Sequence, residues 1–218
     1  MKKQIYLAAA VLFTAGMMFI AGCKKDDTTP PAVSLLGSSS ITASLQGSLS
    51  DPGASADDDE DGDISSSVTS DWSSTNPNLN LKGTYTITYS VSDAAGNTGT
   101  ATRTVVVVND ADSRTGTYNC TIVSPAWAYT QTITASTTKN NRILFSKFGD
   151  YDNNTGIYAD VTGSTVDLPS QTAVNVGTPA TTRTFAGTGT TNTSGFSLSY
   201  TETTSTGSAN FVENFVKQ

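Results

Sequence analysis

The sequence predicts an all-β protein of two consecutive domains, carried behind a leader and a short tether. Three observations predict it. No stretch of useful length beyond the leader shows a helical period. Short runs rich in Thr, Val, Tyr and Ile recur instead, broken by Gly, Asn, Asp and Pro every ten or so residues. After the leader the chain retains about 195 residues, more natural for two modest cores than for one. The abundant Ser and Thr suit the solvated faces of an antiparallel sandwich or barrel.

The leader comes first. Met1-Lys2-Lys3 is a short basic start, and Ile5 to Gly22 is an apolar run closed by Ile20-Ala21-Gly22-Cys23. Small residues before a cysteine, after a positive start, mark a processed leader rather than a membrane-spanning helix. These residues resemble the lipobox of bacterial lipoproteins. That resemblance implies cleavage after residue 22, lipidation of Cys23 by palmitate-type acyl chains, and stable anchoring once more than one chain is attached. The next residues, Lys24-Lys25-Asp26-Asp27, resemble the export signal of surface-exposed lipoproteins in the Bacteroidetes. They imply an outer-membrane location facing the exterior, and they also read as a charged, flexible tether. Asp27-Thr28-Thr29 resembles the three-residue O-glycosylation site of the same phylum. Pro30-Pro31 stiffens the end of this stretch, so residues 23–30 form the lipidated tether.

The first domain is expected over residues 31–109. Its best-defined part is Gly83 to Asp93, where Tyr85, Ile87, Tyr89 and Val91 alternate with Thr84, Thr86, Thr88 and Ser90. Ala94-Ala95-Gly96-Asn97 supplies a turn, and Thr98 to Val108 returns as the partner strand. Shorter strands are expected at Val33–Leu36, Ile41–Leu45 and Val68–Ser70. Five motifs stand here in order: Asp51-Pro52-Gly53-Ala54, Asp61-Gly62-Asp63-Ile64, Gly83-x-Tyr85 with Tyr89, Asp93-x-x-Gly96-Asn97, and Thr102-Arg103-Thr104-Val105. Together they resemble a bacterial immunoglobulin-like domain first described in an insecticidal crystal toxin. The resemblance implies an immunoglobulin-like β-sandwich acting as a spacer, with no catalytic residues to carry over.

The second domain is expected over residues 113–218, with longer hairpins. Eight or nine sequential strands are predicted: Thr117–Val123, Tyr129–Ser136, Arg142–Phe148, Gly156–Val161, Thr165–Leu168, Ala173–Val176, Arg183–Gly187, Phe196–Glu202 and Ala209–Val216. Sequential hairpins of this number favour an antiparallel meander closing into a small β-barrel, because closure removes exposed edges. The unit resembles the small C-terminal barrel of Bacteroidetes surface lipoproteins. So short a chain leaves little interior room for a ligand.

Composition narrows the chemistry. Without residues 1–22 the chain has 10 basic and 19 acidic side chains, a net charge of −9. Nucleic acid and anionic headgroups are bound through basic patches, and none is visible. The chain has no histidine, which removes the usual general base and the commonest zinc ligand. No Gly-x-Ser-x-Gly elbow is present. No catalytic residues are assigned and no enzyme is expected; scattered carboxylates leave a hydrolase as the weakest alternative. With Cys23 lipidated, Cys120 has no intrachain partner and reads as a small buried residue.

Two candidate sites remain. Asp57 to Asp63 holds six acids in seven residues. Asp57, Asp59 and Asp61 match positions one, three and five of a calcium loop, Gly62 its turn, and Asp63 its carbonyl position. The twelfth position is Val68 rather than Glu, so an EF-hand is excluded. A different oxygen cage, closed by Asp51 or Asp93, stays open beside a simple solvated loop, and a structural calcium is the one cofactor considered. Asp150-x-Asp152-x-Asn154-x-Gly156 imitates the spacing but lies between strands and reads as a hairpin tip. Trp127, Tyr129 and Tyr151 are candidates for an aromatic platform under a sugar ring. The function expected is a non-catalytic surface lipoprotein, with the first domain as spacer and the barrel binding a glycan or a protein. The alternative is a purely structural surface protein.

Overall fold

The computed structural model describes residues 26–152 and 156–218. The leader, Cys23, Lys24 and Lys25 lie outside the described residues, as does Asn154. The first domain contains β1 (Ala32–Leu35), β2 (Ser40–Ser44), β3 (Ala54–Asp58), β4 (Gly62–Asp63), β5 (Thr69–Ser70), β6 (Gly83–Ser92) and β7 (Thr98–Val108). They form two sheets, β1-β3-β4 and β2-β7-β6-β5. The predicted hairpin is β6–β7, antiparallel from Gly83 opposite Val107 to Ser92 opposite Thr98. Its two-residue period turns Ile87 and Tyr89 into a core shared with Leu45, Val105 and Val107. Each such side chain taken out of water contributes roughly 1.5–3 kcal/mol.

The motifs of this domain are tied together by a buried cation. Arg103 is fully buried, and its Nη2 donates to the carbonyls of Leu36 at 2.7 Å and Gly53 at 3.0 Å. Its guanidinium lies 5.6 Å from the Tyr89 ring centroid. The Tyr89 hydroxyl donates in turn to Asp51 Oδ1 at 2.5 Å. Burial, reinforced by Asp51 and opposed by Arg103, pushes the Tyr89 pKa up to about 12. The Asp51-Pro52-Gly53 turn, Tyr89 and Arg103 are therefore one clasp holding the two sheets together.

The acidic stretch differs from expectation in one respect. A loop is expected there, yet its first half is β3, paired with β1 and β4. Ala56 and Asp58 face inward while Asp57 and Asp59 face solvent. Acidic residues lack strand propensity, so pairing with β1 and β4 makes this segment a strand.

A 3-10 turn, Asp110–Arg114, follows and is capped by Asn109. The second domain is a closed eight-stranded barrel of β8 (Gly116–Ile122), β9 (Trp127–Ala135), β10 (Arg142–Phe145), β11 (Tyr158–Thr162), β12 (Thr165–Val176), β13 (Thr181–Asn192), β14 (Gly195–Thr204) and β15 (Gly207–Lys217). Two predicted strands, Thr165–Leu168 and Ala173–Val176, merge into β12. Its register shifts between Leu168 and Gln171, so Pro169 sits in an irregularity instead of ending the strand. The meander closes where β15 pairs with β8. Inside, Phe196 stacks on Phe215 at 4.3 Å between centroids, among Tyr118, Ile133, Phe145 and Phe185. Cys120 is free and fully buried there, and burial pushes its thiol pKa up to about 12. Among the described residues, no helix is long and apolar enough to cross a membrane.

Candidate functional site

One end of the barrel is plugged by the segment after β10. Phe148 is fully buried, with ring centroids 4.9 Å from Phe145, 5.3 Å from Phe185 and 4.8 Å from Tyr200. Gly149 follows with φ of 69°, and a Cβ there would lie 3.2 Å from the Tyr151 ring. The left-handed backbone and this close approach both require glycine. The turn delivers Lys147, Asp150 and Tyr151 to the rim.

Two polar clusters are built against the plug. The inner one is centred on Glu213, which is fully buried. The Tyr129 hydroxyl donates to its Oε1, and the Tyr200 hydroxyl donates to Oε2 at 3.3 Å. Burial raises the Glu213 pKa to about 7 against these two hydrogen bonds, which pull it down. The Tyr129 oxygen also accepts from the Gly149 N–H at 3.1 Å, and Lys147 Nζ lies 5.4 Å from its ring centroid.

The outer cluster lies nearer the surface but is still largely shielded, with Glu202 buried and the Arg183 side chain 16% exposed. Arg183 Nη1 donates to Glu202 Oε1, its Nε donates to the Val176 carbonyl at 3.2 Å, and its guanidinium lies 4.4 Å from the Tyr151 ring centroid. The Tyr151 hydroxyl reaches both Glu202 oxygens, at 3.3 and 3.2 Å. The Arg183–Glu202 pair, backed by Tyr151, borders a recess of about 390 Å³ formed by the start of β13, the end of β14 and the β14–β15 hairpin. Arg183 and Glu202 line it together with the hydroxyl residues Thr181, Thr204, Thr206 and Ser208. The Thr181 Oγ1 is buried without a hydrogen-bond partner. Such an arrangement offers charged donors and acceptors held rigid by an aromatic ring, and hydroxyls on the walls. It suits a polyhydroxylated or amide-bearing ligand. A larger hollow of about 630 Å³ crosses β12–β15 around Pro169, Gly187 and Phe211, and Asp167 is the charged residue among those lining it. Neither hollow brings two carboxylates together.

The aromatic candidates divide between these environments. Trp127 is 58% exposed at the start of β9, and its Nε1 donates to Asp150 Oδ2 at 2.5 Å. Tyr151 stands beside the recess, while the Tyr129 hydroxyl is committed inside the barrel. Arg183 and Glu202 are not among the residues that the sequence singles out. The signal is nevertheless present: Glu202 falls in register with Phe196, Leu198 and Tyr200, and Arg183 with Phe185, so both charges occupy inward positions.

Among the acids, Asp57, Asp59, Asp61 and Asp63 are exposed. Asp61 Oδ2 accepts from the Ala94 N–H at 2.7 Å, and Asp63 Oδ1 from the Ser65 N–H at 2.9 Å. The carboxylates that converge are Asp27, Asp58 and Asp93. Asp51 belongs to the Tyr89 clasp.

Residues 33–107 match the family model of the bacterial surface protein, Ig-like domain. The chain is similar to a lipoprotein from Bacteroides thetaiotaomicron, at 19% identity, with 86% of this chain and 100% of that chain covered and a TM-score of 0.35. It is also similar to a structure of the CBM51-2 and INT domains of Clostridium perfringens ZmpB in complex with GlcNAc. That likeness has 20% identity and a TM-score of 0.28, and covers 78% of this chain and 29% of that one. No curated protein sequence matches the chain.

Proposed function

We propose that this is a lipid-anchored surface protein whose immunoglobulin-like domain acts as a spacer and whose barrel binds glycan without catalysis. The observation that carries the reading is the recess at the plugged barrel end. There the Arg183–Glu202 pair, held from behind by Tyr151, and an unpartnered Thr181 hydroxyl stand among further hydroxyl groups. Pairs of this kind orient sugar hydroxyls by charge-assisted hydrogen bonds, and the Tyr151 ring fixes the Arg183 guanidinium in place. The match of residues 33–107 to a bacterial surface domain supports a place at the cell surface. The lipobox-like run ending at Cys23 supports anchoring at the outer membrane. Cys23→Ala then moves the protein from the membrane fraction to the soluble one, and continued membrane retention would exclude the anchor.

Binding is tested by probing a glycan array with the purified protein and titrating the best glycan by calorimetry. Arg183→Ala and Tyr151→Ala each weaken that affinity by about tenfold or more, while Trp127→Ala distinguishes the rim from the recess. A blank array favours a purely structural protein. Undiminished binding by both recess variants would place the site elsewhere on the surface.

A further inference from the structure

Three carboxylates meet where the tether joins the sandwich. Asp58 ends β3, Asp93 opens the β6–β7 turn, and Asp27 comes from the tether. One carboxylate oxygen from each lies within 4.8 Å of the others. Asp58 and Asp93 are only 5% and 8% exposed. Among the described residues, none of the three forms a salt bridge with Lys or Arg.

The second observation is an orphaned oxygen. Asp58 Oδ1 accepts from the N–H groups of Glu60 at 3.1 Å and Asp61 at 3.0 Å. Asp58 Oδ2 is buried and has no hydrogen-bond partner. A buried carboxylate oxygen left without a donor is unfavourable, and two further carboxylates beside it make it more so. Neither burden is relieved by splaying, because each acid is held in place. Asp93 accepts from the Asn97 N–H and Nδ2, both at 2.8 Å. The Asp27 carbonyl accepts from Asn97 Nδ2 at 3.2 Å. Just past the tether, Pro31 packs so closely on Gly99 that a Cβ there would lie 2.0 Å from the Pro31 oxygen.

We propose that Asp27, Asp58 and Asp93 form a divalent-cation site, selective for calcium, that fastens the tether to the immunoglobulin-like domain. Its donors are all oxygen. Beyond the three carboxylates, the Asp27 carbonyl is adjacent, tied to Asp93 through the Asn97 amide. Carboxylates mixed with neutral carbonyls in an irregular cage suit calcium, which accepts flexible geometry. Magnesium demands a near-ideal octahedron and gives up its waters reluctantly. Filling the site satisfies Asp58 Oδ2, cancels most of the clustered charge and couples residue 27 to two loops of the sandwich. Calcium then sets whether the stalk is stiff or slack at its junction with the first domain.

The test uses the purified full chain, stripped with a chelator and titrated with calcium chloride or magnesium chloride by calorimetry. One calcium binds per chain, with magnesium weaker by about tenfold or more, and the first thermal transition rises by several degrees with calcium. Asp58→Asn removes binding. Since that change lies in the sandwich, Asp27→Asn serves as the variant outside its core. It weakens calcium by about tenfold or more through the lost ligand charge, and leaves the melting point in chelator unchanged. Asp57→Asn and Asp59→Asn retain wild-type affinity. Three results would overturn the site: absence of saturable binding, equal loss in the Asp57 and Asp59 variants, or wild-type affinity in Asp27→Asn.

Discussion

Glu213 places an ionisable group inside a barrel packed with aromatic rings, and the consequence depends on pH. An unfolded glutamate titrates near 4.5, whereas burial lifts the folded group to about 7. Between those values the folded state holds a proton that the unfolded state has released. This contribution to stability therefore falls as pH rises through that window and levels off above it. Glu213→Gln keeps an acceptor for the Tyr129 hydroxyl and removes the titration. Above pH 7 the variant is expected to exceed the wild type by on the order of 3 kcal/mol, with the gap shrinking toward pH 5. Urea unfolding at several pH values checks this; a gap independent of pH would contradict it. Single residues are unevenly legible in the sequence. Cys120 is legible as buried because an unpaired thiol in an alternating run packs most simply as a small apolar side chain. Glu213 and Arg103 are not, since a charge at an inward position looks like an outward one until the register is fixed.

At the scale of elements, β13 shows how glycine shapes the barrel. A Cβ at Gly189 would stand 1.7 Å from the Ser197 oxygen, and one at Gly187 would stand 2.2 Å from the Ser199 oxygen. The obstacle in both cases is the backbone of β14, which cannot rotate away as a side chain can. Gly189→Ala forces the two strands apart and should cost at least about 2 kcal/mol, whereas Thr188→Ala, one residue away on the exposed face, should cost little. Thermal unfolding of the two variants separates the cases, and equal melting points would refute the steric account. From sequence this strand is expected to end at Gly187, because glycine normally weakens strand interiors. The same bias divides β12 at Pro169. Long alternating runs such as Gly83–Ser92 are legible almost to the residue, their period being intrinsic to the chain. β3 is not legible, because its strand character comes from β1 and β4 and not from its own residues. That pairing also turns Asp58 away from Asp57 and Asp59, which is why counting along the acidic stretch cannot assemble the ligands that the fold brings together.

For the whole molecule, the junction between domains governs how the barrel is held. Asn109 is 2% exposed. Its Nδ2 donates to the carbonyls of Ser136 and Lys139, both at 2.8 Å, and its Oδ1 accepts from the Asn141 N–H at 2.9 Å. Lys82 on the sandwich side adds a backbone bond to Thr137 at 2.7 Å and an ion pair with Asp112 at 2.5 Å. Asn109→Ala leaves several of these groups unpaired. It is expected to broaden the interdomain distance distribution in small-angle scattering, with both domains still folded; an unchanged scattering profile would show that the other contacts suffice. The β8–β15 seam has a different implication, for the order of synthesis. The sandwich can assemble as soon as residue 109 has emerged, because its sheets use nothing beyond it. The barrel's first strand finds one neighbour only in its last, at Tyr118 opposite Lys217 and Asn119 opposite Val216. Until the final hairpin is delivered, the aromatic interior has an open side and β8 an unpaired edge. During synthesis the chain therefore carries a finished head and an unfinished tail, and the tail keeps its open edge until its last strand pairs with its first.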